Sequence, residues 1–333
     1  MSVSIKDGFS QPSVHSLRYK DGFCDTAHLI REELLKFTTW QTMRQSSYFS
    51  SNDGFIPARQ NGITTGHLDD RSRDILPHCI QFRDFLHQHS QALCELIDVD
   101  CVDHRIEINA MAYGQGCWLS SHNDYIKHDT GNVRVAAWML YLTHPDDGEW
   151  PVEKGGGVRL FHSDGEAVRL QPKFNRFALF KVSSASTHEI EKITWDTGWE
   201  HSRLALSGWI RGRTSREARD TCVFIASPRF AQARAAMETF FQGSLACYRL
   251  QAQQQAYAGI DTSRAVAREQ ELMADYEAHL AAPDGTCFSH RVPGPKGVII
   301  VLNEQDEKTL YFGSLEAYRR SPSAGQATVS RPD

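Results

Sequence analysis

Between Arg105 and Ile210 the chain is a succession of short segments with strand character, separated by turn residues and uninterrupted by helical periodicity. Arg105–Tyr113 alternates, grouping Glu107, Asn109, Met111 and Tyr113 on one face. Val133–Thr143 is almost wholly apolar, as a strand covered on both sides would be. After a polar loop from Pro145 to Gly155, Gly156–Phe161 and Ala167–Leu170 flank a turn at Asp164-Gly165 and read as a hairpin. Arg176–Val182 and Arg203–Ile210 complete the run. Short strands joined by turns close as an antiparallel barrel or a double sheet, the jelly-roll type of architecture.

Helices flank this region. Leu29, Ile30, Leu34 and Phe37 recur at helical spacing over Thr26–Phe37, with Asp25 as the expected N-cap. A second helix is expected from Pro77 to Ile97, and both should pack outside the sheet. Residues 1–20 read as a loosely held start, and 45–73 as a long irregular segment that could wall a site. Beyond Gly212 the pattern is helical again, over Pro228–Ala258 and over Ser263–Leu280, the latter with Ser263 as its cap. Gly297–Leu302 and Thr309–Phe312 read as a strand pair followed by a short helix, and the last dozen residues as disordered. The fold class is therefore α+β: a part spanning 1–212 (helical over 20–100, jelly roll over 101–212), followed by a helical extension with a short strand pair over 213–333.

The chemistry is concentrated in three places. His122-Asn123-Asp124 puts an imidazole and a carboxylate two residues apart, and on extended backbone such residues point the same way. A second histidine follows in Ser186-Thr187-His188-Glu189, and then Arg203 opens a strand that also carries Ala205, Ser207 and Trp209 on its face. Two histidines and one carboxylate on one face of a metal form the facial triad of non-haem Fe(II) oxygenases. A buried arginine nearby needs an anion, and its planar fork suits a carboxylate co-substrate. Glu107 and Asn109 share the face of Tyr113 and could also touch a ligand.

Tyr113-Gly114-Gln115-Gly116, Arg134 to Tyr141-Leu142, Gly156-Gly157-Val158-Arg159-Leu160-Phe161, Gln171-Pro172-Lys173-Phe174-Asn175-Arg176 and His188-Glu189 together resemble the prolyl-4-hydroxylase-like 2-oxoglutarate/Fe(II) oxygenases, including the oxygen-sensing prolyl hydroxylases and their microbial relatives. The resemblance covers roughly residues 100–212 and implies a double-stranded β-helix (jelly roll, cupin-like) with helices on its major sheet. It implies that His122, Asp124 and His188 bind Fe(II) and that Arg203 pairs with 2-oxoglutarate. Tyr113 and Tyr141 would line the co-substrate pocket, and Arg134 and Trp209 would face the primary substrate or the pocket wall. The implied reaction consumes O2, with ascorbate as an optional reductant, and hydroxylates an unactivated C–H bond of an amino-acid-like small molecule or of a peptide or protein residue, releasing succinate and CO2. Asp124 favours hydroxylation over halogenation; desaturation, epoxidation and cyclisation share the same ligands. Two departures stand out. The His188–Arg203 spacing is long, suggesting an inserted hairpin around Trp195–Glu200, and Leu119 replaces a second tyrosine of some relatives.

Charge and composition narrow the alternatives. A net charge of −5 with no basic face excludes a general nucleic-acid binder, and no apolar run reaches membrane-spanning length. The N-terminus lacks the pattern of a signal peptide, so a cytoplasmic protein is expected, with no membrane partner and room for a homodimer. Eight cysteines without a Cys-x-x-Cys pair read as reduced, mostly buried thiols rather than a zinc knuckle. The competing classes are a non-catalytic metal-binding jelly roll acting as a sensor or scaffold, and a partner-binding role for residues 213–333.

Overall fold

The computed structural model describes residues 16–45, 48–50, 54–56, 60–122, 124, 132–161, 167–183, 186, 188–214, 230–280, 299–302 and 308–312. In chain order the elements are β1 (Arg18–Asp21), α1 (Ala27–Lys36), β2 (Gln41–Gln45), β3 (Tyr48–Ser50), β4 (Gly54–Ile56), β5 (Gln60–His67), α2 (Pro77–Gln88), α3 (Ser90–Leu96), β6 (Val102–Tyr113) and β7 (Leu119–His122). They continue with β8 (Val133–Tyr141), β9 (Val158–Phe161), β10 (Ala167–Leu170), β11 (Arg176–Lys181), β12 (His188–Ile190), β13 (Arg203–Arg213), α4 (Phe230–Tyr257), α5 (Ser263–Leu280), β14 (Ile299–Leu302) and β15 (Lys308–Phe312).

One antiparallel sheet holds the molecule together, in the order β1-β11-β8-β13-β6-β5-β7-β12-β9-β10, with β2 on β5. It rolls into two halves. The half from β1 to β5 contains the long strands, and the half from β7 to β10 the short ones. Between them β5 pairs with β6 through Ile63↔Ala112 and touches β7 at Gln60↔Leu119. This is the double-stranded β-helix expected from the sequence.

Side-chain alternation explains why the long strands are apolar throughout. Ile108, Ala110 and Ala112 of β6, Trp138 and Leu140 of β8, Phe177 and Leu179 of β11, and Leu204 and Leu206 of β13 join a core shared with α1, α2 and α3. The alternate residues Tyr113, Met139, Tyr141, Ala178, Phe180 and Ala205 join a second core inside the roll. The outer core is aromatic: Phe23 stacks on Phe177 at 4.4 Å, and Phe82 meets the Trp138 ring edge-on at 5.9 Å. Burying a side chain such as Phe82 or Phe177 contributes about 1.5–3 kcal/mol. Helix α2 begins on Pro77, whose missing N–H costs nothing at a first helical position.

Several expectations are corrected. Residues 45–73 are not one irregular wall: β5 runs through them as an integral strand, with β2 as its neighbour. Residues 18–21 form edge strand β1 on β11 rather than a loose start. Helix α1 has Thr26, not Asp25, at its N-cap. The single helix over 77–97 is two, α2 and α3, meeting at His89. The Gly155-Gly156-Gly157 run precedes β9 rather than opening it, because Gly155 and Gly156 take φ of +70° and +76°. Trp195–Glu200 forms no hairpin but an irregular stretch ending in a turn, with Trp199 buried on Trp40. In α5, Ser263 is itself bonded by Asp261, which accepts from its N–H at 2.9 Å and its hydroxyl at 2.7 Å. The turn at 164–165, the short helix after β15 and the last dozen residues lie outside the described residues.

The first C-terminal helix packs directly on the sheet. Leu245, Ala246, Cys247 and Leu250 of α4 are buried, and α4 lies on β2 and β5. Leu250 belongs to the outer core and Ala246 to the inner one. Helix α5 packs on α4 in turn. No described helix is long and apolar enough to cross a membrane.

Candidate active site

Strand pairing brings the two distant histidines together. His122 ends β7 and His188 begins β12, and they are direct partners across that ladder. Asp124 lies two residues past the end of β7 and turns back between them. Its Oδ1 is 3.5 Å from His122 Nε2 and its Oδ2 is 3.4 Å from His188 Nε2. All three side chains are buried. The His188 ring is oriented by its Nδ1, 3.0 Å from the Ser186 carbonyl oxygen, which leaves Nε2 facing Asp124. Phe180 packs edge-on against the same ring at 4.9 Å.

The donor set suits a divalent transition metal. Three ligands on adjacent octahedral corners sit about 3 Å apart when each bond is near 2.1 Å. The observed separations of 3.4 and 3.5 Å need only a slight contraction. Burial alone would raise the Asp124 carboxyl, but its hydrogen bonds and charge interactions with the two histidines outweigh burial and hold it well below the usual carboxylate range. The same contact lifts the His188 imidazole above its ordinary value against the opposing effect of burial. A carboxylate that stays ionised in a buried pocket is primed for a cation.

Arg203 supplies the second half of the site. It is 2 % exposed, yet no carboxylate among the described residues pairs with it. Its Nε donates to the Gly156 carbonyl at 2.6 Å and one terminal nitrogen donates to the Tyr141 hydroxyl at 3.3 Å. The guanidinium carbon lies 4.9 Å from the Tyr141 ring and 5.4 Å from that of Tyr113. A desolvated cation held only by neutral acceptors and aromatic rings is suited to receive an anion. Tyr113 and Tyr141 flank the guanidinium, both fully buried, and Tyr141 also donates to the Leu170 carbonyl at 3.4 Å. Burial lifts the Tyr141 phenol despite Arg203 beside it, so it remains a neutral donor.

Residues 108–211 match the model of the 2OG-Fe(II) oxygenase superfamily. Over those residues the chain is similar to members of that superfamily. A prolyl 3-hydroxylase of Drosophila melanogaster, sudestada1, is 32% identical over 119 residues, which cover 33% of this chain and 20% of that protein. The Mus musculus prolyl 3-hydroxylase OGFOD1 is 25% identical over 150 residues, 43% of this chain and 25% of the relative. This chain thus spans a quarter or less of the length of these two relatives. Among solved structures, a Pseudomonas putida prolyl-4-hydroxylase aligns with 60% of this chain and 95% of its own at 19% identity and a TM-score of 0.42. A Trichoplax adhaerens prolyl hydroxylase, solved with a hypoxia inducible factor peptide fragment, aligns with 59% of this chain and 84% of its own, at 16% identity and a TM-score of 0.41.

The remaining candidates occupy the rim of this oxygenase site. Trp209 lies across from Glu107 and Ala137, and the Arg134 guanidinium stacks 3.5 Å over its ring. Of the acidic residues near Arg134 in sequence, Asp129 lies outside the described residues and Glu149 meets Arg176 at 2.8 Å. The partner of Arg134 is Glu107, at 3.3 Å, with Asp124 4.0 Å away. Glu107 also binds Arg211 at 2.6 Å, and Arg211 is partly buried. Asn109 is half-buried between Ser207 and His67 in the sheet register.

Trp150 and Met139 were not anticipated. A Cβ on Gly156 would come within 3.0 Å of the Trp150 ring and 3.4 Å of Arg203 Cδ, so glycine is what lets Trp150 cover the arginine. Met139 Sδ lies 3.9 Å from the guanidinium. The available hint was a lone tryptophan inside an otherwise polar loop. Among the described residues two further groups gather metal-binding atoms: His144, Asp147 and His201, and Cys94, Cys101 and His104. In the first, Asp147 is engaged by His201 at 2.7 Å and Arg31 adds a neighbouring positive charge. A cleft of about 920 Å³ lies elsewhere, between Gly114, Gly116, Ile193, Arg249, Leu250 and Glu269.

Proposed function

We propose that this chain is an Fe(II)- and 2-oxoglutarate-dependent dioxygenase that hydroxylates an unactivated C–H bond of a peptide- or protein-borne residue, with proline the first candidate. The observation that carries this reading is the pairing of a buried His122–Asp124–His188 cluster with a buried Arg203 that has no carboxylate among the described residues. The prolyl hydroxylases among its relatives support the choice of a peptide substrate.

In this reading His122, Asp124 and His188 would hold iron. Bound there, iron would supply, together with 2-oxoglutarate and O2, the oxidising power for C–H hydroxylation, with succinate and CO2 as co-products. Arg203 grips the far carboxylate of the co-substrate through charged hydrogen bonds, and the neutral Tyr141 hydroxyl accepts from the guanidinium and steadies it. Tyr113, Met139 and Trp150 exclude water around that contact, which strengthens it. At the rim, Arg134 and Trp209 form a flat, cationic ledge that can orient a substrate backbone. Ascorbate keeps the metal reduced. The described cysteines, all free thiols, suit a reducing compartment such as the cytoplasm. Residues 213–333 add a wall through α4 and α5 next to the cleft, where a protein substrate could rest.

The test is anaerobic loading of the full chain with Fe(II), then 2-oxoglutarate, O2 and a library of proline-containing peptides. Succinate release coupled to a one-oxygen mass gain supports the proposal. Tight iron and 2-oxoglutarate binding with no succinate under any condition would establish the sensor alternative.

A further inference from the structure

Two cysteines that the sequence keeps apart meet behind the sheet. Cys94 lies on α3 and is fully buried; Cys101 immediately precedes β6 and is 2 % exposed. Their sulfurs are 4.0 Å apart. That is too far for a disulfide bond, whose S–S length is about 2.05 Å. It is close to the separation of about 3.8 Å that two thiolates adopt on a tetrahedral zinc with bonds near 2.3 Å. His104, three residues along β6, brings a ring nitrogen into the same group, with all three donor atoms inside 4.8 Å of one another. Its Nε2 is buried and has no hydrogen-bond partner among the described residues. Burying such a nitrogen without a partner is costly unless something else satisfies it.

We infer that Cys94, Cys101 and His104 form a structural zinc site that fastens α3 to the start of β6. The donors are the right ones: thiolate and imidazole are the ligands zinc takes in structural sites. The charge also balances, because two thiolates cancel the dication and the imidazole stays neutral, so the complex can sit beside apolar neighbours. A cavity of about 320 Å³ lined by Asp100, Cys101, Val102, Arg213 and Thr214 opens beside Cys101 and gives room for an entering ion and a water as fourth ligand. Gly212 leaves that space clear, since a Cβ there would lie 2.7 Å from the Cys101 sulfur. Binding releases the thiol protons to solvent and changes no oxidation state. The site lies on the helix-side face of the sheet, so it is independent of the iron cluster inside the roll.

The test uses the reduced, metal-free full chain titrated with cobalt(II) alone. Cobalt on the two thiolates gives a sulfur-to-metal charge-transfer absorption that the sulfur-free His122–Asp124–His188 cluster cannot produce. The expected result is that this band appears at one equivalent, persists in His122→Ala, and disappears in Cys94→Ser and Cys101→Ser. If the serine variants fail to fold, His104→Ala is used; it should weaken cobalt binding by at least about tenfold while circular dichroism is retained. Metal analysis of the protein purified without a chelating tag should find zinc that is lost with the band. No charge-transfer band in the reduced chain, a band that survives both cysteine changes, or undiminished cobalt affinity in folded His104→Ala overturns the inference.

Discussion

His122 and His188 face each other across the β7–β12 ladder with ring centroids 4.3 Å apart. The sheet register sets this spacing, so the two rings are held together without a metal, and the Asp124 carboxylate reaches both of them. Replacing His188 or Asp124 by alanine should lower Fe(II) affinity by more than about 100-fold, beyond the effect of losing an outer contact. Turnover should fall to background with circular dichroism unchanged. Isothermal titration with Fe(II) under nitrogen measures this, and retained affinity would remove the residue from the ligand set.

Arg203→Ala should raise the 2-oxoglutarate requirement by roughly 10- to 150-fold, the equivalent of about 1.5–3 kcal/mol for a charged hydrogen-bonded contact. Tyr141→Phe removes the hydroxyl that accepts from Arg203 and should raise it only a few-fold. Succinate release against 2-oxoglutarate concentration separates the two. Equal effects would mean that the carboxylate is held elsewhere.

Arg134→Ala removes the cation stacked on Trp209 and frees Glu107. If the ledge holds substrate, KM for a peptide should rise by roughly 2- to 30-fold, in line with about 0.5–2 kcal/mol for such a contact. The 2-oxoglutarate requirement should stay within a factor of two or so, on the scale of an uninvolved residue. A change confined to the co-substrate would assign Arg134 to the inner pocket.

Leu250 anchors α4: it is 2 % exposed, and a Cβ on Gly114 would lie 3.0 Å from its Cδ1. Leu250→Ala should cost about 2–5 kcal/mol as a cavity opens in the core. Denaturant unfolding should show a lower midpoint with an unchanged slope. A loss below about 0.5 kcal/mol, the range of surface positions, would show that α4 rests on the sheet without supporting it.

Asp21 ties β1 to the buried Arg176, accepting from Nε at 2.6 Å. Burial pushes its carboxyl up, but Arg176 and Lys173 pull it further down, so its folded pKa lies below its unfolded one. The stability it contributes is present above the ordinary carboxylate range and is lost as pH falls through that range toward the depressed value. Asp21→Asn should therefore destabilise the protein at pH 7 by about 1 kcal/mol, a figure reduced for the partial exposure of Asp21. The gap to the parent should close below about pH 4. Melting curves from pH 7 to pH 3 test the sign, and a constant gap would rule out the titration of Asp21 as its cause.

Local patterns carried much of this protein. The alternation of Arg105–Tyr113 and the apolar run from Val133 announced strands because a side chain's face depends only on its parity along the backbone. The same parity placed Arg203 on the inner face with Ala205 and Trp209, and the His122/Asp124 spacing announced a shared ligand direction. What no local pattern carries is pairing between distant segments. Gln60–His67 became a central strand because β6 and β2 supply its partners, although its own glycines and polar residues argue for a loop. Only packing could choose Glu107 for Arg134, lay Trp150 over Arg203, or bring Cys94, Cys101 and His104 within reach of one ion. Those contacts depend on sheet register and on how the roll closes, both of which arise from the summed burial of many side chains rather than from the identity of any few.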